Sequence, residues 1–115
     1  MANTFKLKTK ANVDSSLVTV YTTPNSTTSV IIGLTISNVK GSSITADAKI
    51  ITAASSGENG DDVHIVKDIP LPAGSSVEIM SGNKIILNAG DIVKASGSNS
   101  SGNDADIILS IMEIT

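Results

Sequence analysis

Ser29-Val30-Ile31-Ile32-Gly33-Leu34-Thr35-Ile36-Ser37-Asn38 is the most apolar run in this 115-residue chain, and the fold is read outward from it. Alternate positions place Val30, Ile32, Leu34 and Ile36 on one face, toward a core, and Ile31, Gly33, Thr35 and Ser37 on the other. That is the period-2 pattern of a strand. β-branched Val, Ile and Thr dominate the run, and their stiff side chains suit a pleated surface better than a helix.

Ser, Thr, Ile and Val supply 53 of the 115 residues, Trp is absent, and Phe5 and Tyr21 are the sole aromatic residues. Without large rings a single exposed sheet cannot bury enough apolar area, so two packed layers are predicted. A chain of this length reads as one domain, residues 1–115, burying about two-thirds of the surface that its unfolded form exposes. It has no Cys, hence no disulfide and no thiolate metal site, which fits synthesis in a reducing cytoplasm. The net charge is −3 and all eight cations are Lys. With no Arg and no cationic cluster, neither nucleic acid nor a membrane surface is an expected partner. Lys6, Lys8 and Lys10 are followed by no apolar stretch, so no secretory signal is read there and the mature chain is expected to begin near Met1.

Phe5, Leu7 and Thr9 alternate with Lys6, Lys8 and Lys10, predicting a strand with one charged, water-facing side. Residues 17–22 form a second strand, and the turn at Pro24-Asn25 implies that it pairs antiparallel with the run at 29–38. Residues 44–52 alternate again, and 63–69 continue until Pro70 and Pro72 deny ladder donors. Residues 77–80 and 84–87 flank Ser81-Gly82-Asn83 as a hairpin. Residues 91–95 and 105–114 complete the set, with Ile107, Leu109 and Ile111 facing in. Two Gly- and Ser-rich stretches, 53–61 and 96–104, read as flexible loops. The predicted class is all-β: a single-domain antiparallel two-sheet sandwich of about eight strands, jelly-roll or immunoglobulin-like.

Chemistry is sparse. His64, the only histidine, stands in a strand with no Cys and no second His, the setting of a half-buried strand residue and not of a base or metal ligand. Glu58, Asn59, Asp61 and Asp62 surround Gly60 as a calcium loop would, but without EF-hand spacing. Asn103, Asp104 and Asp106 raise the same question, and a solvated acidic loop is the plainer reading of both. None of the seventeen serines lies in a Gly-x-Ser-x-Gly elbow, and the Gly-rich stretches carry no Gly-Lys-Ser/Thr. No catalytic residue, metal ligand or cofactor is assigned, and the chain is not read as an enzyme.

What the composition leaves over is apolar surface. Ile31 beside Ile32, Ile50 beside Ile51, Ile85-Ile86-Leu87 and Ile107-Ile108-Leu109 put aliphatic residues on both faces of their strands, where a sandwich needs only one. The surplus fits either edge coverage by local twist or an interface between subunits. The outward candidates are Ile31, Ile51 and Ile108. If adjacent in the fold, they form a patch through which copies associate, a trimer first and a larger ring second.

The order of segments also resembles a known group. Tyr21-Thr22-Thr23-Pro24, Ser26-Thr27-Thr28, Val30-Ile31-Ile32-Gly33-Leu34 and Ile36-Ser37-Asn38 are similar to small virion structural proteins of tailed phages that infect marine bacteria or cyanobacteria. Ile69-Pro70-Leu71-Pro72-Ala73-Gly74-Ser75-Ser76, Gly82-Asn83-Lys84-Ile85-Ile86-Leu87, Gly90-Asp91 and Leu109-Ser110-Ile111-Met112-Glu113 extend the resemblance. These are strand-and-turn motifs. The resemblance implies a non-enzymatic particle component located in the virion, with other virion proteins as partners. It would decorate the capsid, join head to tail, or serve as a tail or fibre module that grips a host surface glycan.

Overall fold

The computed structural model describes residues 2–53, 61–98 and 104–115, and none of these is helical. Nine strands form among them: β1 (Asn3–Val13), β2 (Val18–Thr22), β3 (Thr28–Asn38), β4 (Ile44–Ile51), β5 (Val63–Leu71), β6 (Ser76–Glu78), β7 (Ile85–Leu87), β8 (Ile92–Ser96) and β9 (Ala105–Ile114). One sheet has the order β1-β9-β3-β6, with β7 also on β3; the other has the order β2-β8-β4-β5. Taken as two halves of one strand, β6 and β7 complete the eight-strand arrangement of a jelly roll, whose chain passes back and forth between sheets. An immunoglobulin sandwich pairs its first two strands. Here they lie in different sheets.

Two expected pairings are therefore corrected. β2 does not pair with β3, because the Pro24-Asn25 turn carries the chain from one sheet to the other and β2 lies on β8 instead. β6 and β7 do not form a hairpin; each pairs with β3, from Thr35↔Glu78 to Ser37↔Ser76 and from Ser29↔Leu87 to Ile31↔Ile85. Residues 79–84 loop out between them, with Ser81 and Gly82 at positive φ. β5 also runs through Pro70, which an outer strand tolerates because one row of its backbone donors has no ladder to serve. The stretches expected as flexible loops fall mainly on residues 54–60 and 99–103, which lie outside the described residues together with Glu58, Asn59, Gly60 and Asn103.

The register of β3 holds in one half and slips in the other. Leu34 and Ile36 are buried as expected, but so is Ile31, at 0% exposure, while Ile32 stands at 39%. The cause is a bulge: Ile31 faces Ile111 and Gly33 faces Ser110, so Ile32 is an extra residue with no partner of its own on β9. Below it the alternation is inverted, which sends Ser29 and Ile31 inward and leaves Val30 half-exposed. The bulge sits opposite the break between β6 and β7. Glu78 fills that gap, accepting hydrogen bonds from the Met80 amide at 2.7 Å and the Thr35 hydroxyl at 3.1 Å, and Met80 turns into the core.

Between the sheets, Ile31, Leu34, Ile36, Ile107, Leu109 and Ile111 meet Ala46, Ala48, Ile50, Leu71, Val93 and Ala95. Large aliphatics on one layer meet three alanines and three larger aliphatics on the other, so the layers interdigitate with Tyr21 as the one buried ring among the described residues. At one end of the sandwich the buried Asn38 side chain ties them: its Nδ2 shares two hydrogens among the carbonyls of Ser42, Leu71 and Pro72 at 2.9–3.1 Å, and its Oδ1 accepts from the Lys40 amide.

Adjacent isoleucines in β3 are thus expected to respond differently to truncation. Ile31→Ala removes a fully enclosed side chain and is expected to cost about 2–5 kcal/mol, whereas Ile32→Ala is expected to cost under about 1 kcal/mol. Urea denaturation of the two variants measures the difference, and equal losses would place the bulge elsewhere.

Candidate functional site

β1 decides which surfaces the molecule offers. Pairing with β9 sets Lys6 opposite Ile111, Lys8 opposite Leu109 and Lys10 opposite Ile107, on the face that continues the core layer. Phe5 and Leu7 consequently lie on the outer face, 72% and 64% exposed. This reverses the expectation of a charged side toward water and an apolar side toward the core. The physical reason is the edge position: beyond β9 the second sheet no longer covers the strand, and inward-pointing lysines close the open side while discouraging further strands from pairing there.

Two of those lysines find partners. Lys6 Nζ lies 2.8 Å from the buried Glu113 carboxylate, and Lys8 Nζ lies 5.9 Å from the centre of the Tyr21 ring. The Tyr21 hydroxyl crosses from β2 to donate to Glu113 Oε2 at 2.6 Å, and Ser29 Oγ lies 2.6 Å away on its other side. Lys6, Glu113, Tyr21 and Ser29 thus form one polar bridge between the sheets. Hydrogen bonds from Lys6 and then Tyr21 hold the Glu113 carboxyl below its usual range despite burial. Burial first, and the Glu113 hydrogen bond second, push the Tyr21 phenol up to about 12. Each group is moved away from neutrality, the opposite of a pair poised for proton transfer near pH 7. The cluster holds sheets together.

Directly opposite residues share a face of a sheet, so the ladder maps the outer surface. Phe5 is opposite Met112, Met112 opposite Val30, and Val30 opposite Ile86. This is an unbroken apolar row across four strands. Beside it run Leu7, Ser110 and Gly33, and beyond them Thr9, Ile108 and Thr35. Ile86 is 65% exposed and Ile108 42%. Phe5, Leu7, Ile32, Ile86 and Ile108 therefore stand on one face of one sheet, and the Glu78 carboxylate borders them beside Gly33.

The expected patch of Ile31, Ile51 and Ile108 does not form. Ile31 is enclosed in the core, and Ile51 lies half-buried opposite Ile92 on the other sheet. Ile108 does face outward, with neighbours that sequence reasoning missed. The alternation of Phe5 and Leu7 with lysine points to a water-facing lysine side and so hides them as surface residues. The signal that would have found them is the pairing of an edge strand.

The remaining candidates are scattered. His64 is exposed on β5 opposite Lys49. Asp62 accepts from the Thr52 amide, Asp106 from the Asn12 amide, and buried Asp104 is ion-paired with Lys40 at 3.4 Å. Among the described residues no three His, Asp or Glu side chains gather where they would hold a metal ion. A polar cleft of about 390 Å³ lies at one end, lined by residues 25–28 and 88–90. Gly90 shapes it, with φ +89° and a backbone that passes so near Ala53 that a Cβ would meet its methyl at 2.9 Å.

No family model matches the chain, and no curated protein does. Solved structures do. A chain of the infectious bursal disease virus T13 particle matches over 96% of this chain and 30% of its own length, with TM-score 0.58 and 9% identity. The Gx strain of that virus gives TM-score 0.58 at 11% identity, and the VP2 subviral particle 0.53 at 12%, each over 96% of this chain and 32% of the other. The chain spans about a third of the length of these proteins. At such identities the likeness is one of fold.

The polar bridge makes stability depend on pH from both sides. Glu113 has a lowered value in the folded state, so its contribution is present above the unfolded carboxylate value, about 4.3, and is lost as pH falls through the folded one. Tyr21 has a raised value, so its contribution is present below about 10 and is lost as pH rises through about 12. Glu113→Gln is expected to lower stability at pH 7 by roughly 1–2 kcal/mol, moderated by the exposure of Lys6. Melting temperatures from pH 6 downward are expected to fall less steeply in that variant than in the parent chain.

Proposed function

We propose that this chain is a non-enzymatic structural module of a virus particle, present in multiple copies and packed against other particle proteins. One observation carries the reading: a complete jelly roll, alike over 96% of its length to part of a viral particle protein, turns an apolar sheet face outward. Jelly rolls also serve lectins and cupins, and it is the apolar face that favours packing over small-molecule chemistry. The resemblance of residues 21–113 to small virion proteins of tailed phages supports the finer placement. In that placement the module decorates the capsid or joins head to tail, and it reaches the virion after synthesis in the host cytoplasm.

Purified particles test this directly. Quantitative mass spectrometry is expected to find the chain at a copy number that matches the symmetry of the shell or neck, and cryo-electron microscopy is expected to place the jelly roll there. Absence from purified virions overturns the proposal.

A glycan-binding tail or fibre module is the second reading, favoured by the cleft at residues 25–28 and 88–90, where Asn25, Ser26 and Asn88 offer neutral polar groups. Sugar sites ordinarily add a stacking ring. Tyr21 is buried in the polar bridge and Phe5 stands on the sheet face, so neither lines this cleft. A glycan array is expected to show no binding, and reproducible binding lost in Asn25→Ala or Asn88→Ala would reverse the ranking.

A further inference from the structure

We infer that the outer face of the β1-β9-β3 sheet is covered by the same face of a second copy of this chain, forming a two-fold dimer. The inference stands on the face itself and not on the virus reading.

Area comes first. With about 150–250 Å² on an aromatic side chain and somewhat less on an aliphatic one, the exposed fractions of Phe5, Leu7, Ile32, Ile86 and Ile108 amount to roughly 500 Å². That lies toward the upper end of the largest patch on an ordinary monomer, about 300–600 Å². With the half-buried Val30 and Met112 and a rim of Asn3, Thr9 and Thr35, it approaches the roughly 800 Å² per partner of a standard interface.

Charge narrows the occupant. The Phe5–Ile86 row carries no charged side chain and the three lysines of β1 point the other way, while the Glu78 carboxylate borders the second row beside Gly33, held by the Met80 amide and the Thr35 hydroxyl. A charged partner surface would be desolvated here without compensation. A second copy brings an identical, largely apolar area at its own concentration, and a two-fold contact requires only that the patch complement itself. Its relief permits that. The Phe5-Met112-Val30-Ile86 row stands beside the small Ser110, so a two-fold axis near this boundary sets each row against the Ser110 position of the other copy, with Leu7 and the Glu78 carboxylate flanking it. Two sheet faces packed in this way stand about 10 Å apart, as the two layers of the sandwich already do.

Sedimentation velocity of the whole chain, from low to high micromolar concentration, tests this. The parent chain is expected to pass from monomer to dimer. Phe5→Asp with Ile86→Asp is expected to weaken dimerisation by on the order of a hundredfold or more, with the melting curve unchanged because both side chains protrude. Thr19→Asp, on the outer face of the other sheet, is expected to behave like the parent. If the double variant melts early, Leu7→Lys and Ile108→Lys are read in its place. A parent chain that stays monomeric, an association that the face variants leave intact, or a trimer in place of a dimer overturns the inference. A face that only a different particle protein covers would give the first of these results.

Discussion

The ladder between β3 and β9, from Thr28 opposite Ile114 to Asn38 opposite Ala105, is the contact through which every other part of the first sheet is placed. β9 carries β1 on its far side, and β3 carries both β6 and β7. The inward residues of this ladder, Ile31, Leu34, Ile36, Ile107, Leu109 and Ile111, are enclosed almost completely and make up most of one core layer. The partners lie far apart in the sequence, so the pairing closes a long loop and its entropy cost is met only when the whole face is buried. The adjoining strands have no such independence: β6 and β7 are three residues each and exist only against β3.

A core built from Ile, Leu, Val and Ala is adhesive but not directional, since hydrophobic burial scales with area and has no preferred geometry. Direction enters at the two ends of the sandwich. Asn38 shares its two amide hydrogens among three carbonyls at one, and Tyr21 with Glu113 and Lys6 spans the layers at the other. Such buried polar groups must be matched to be tolerated, and matching fixes how one sheet sits over the other. Ala2 and Thr115 exchange backbone hydrogen bonds close to the second bridge, so the first and last strands are held together where β1 would otherwise be free to peel away.

Much of this was legible in the sequence and some was not, for identifiable reasons. Alternation located the strands, and the scarcity of rings called for two layers, because both properties are local or compositional. In the second half of β3, Leu34 and Ile36 fell on the expected side. Ile31 and Ile32 exchanged roles because a bulge depends on what the partner strand does, and no residue within the run announces it. The supposed hairpin at Ser81-Gly82-Asn83 is a turn, but one that interrupts a strand, since turn chemistry specifies a bend and not what pairs beyond it. The apolar surplus was legible as an amount. Its position was not, because Phe5, Met112, Val30 and Ile86 become a row only when four strands distant in sequence are laid side by side.

One consequence of the polar bridge concerns light. With no Trp in the chain and Tyr21 as its only tyrosine, nearly all absorption near 280 nm comes from a ring whose hydroxyl sits between Glu113 and Ser29 at the junction of the two sheets. The near-ultraviolet circular dichroism and the emission of the unmodified protein therefore arise almost wholly from a single contact. A label-free spectrum of this molecule reads whether its two layers are joined, and the surrounding strands contribute almost nothing to the signal.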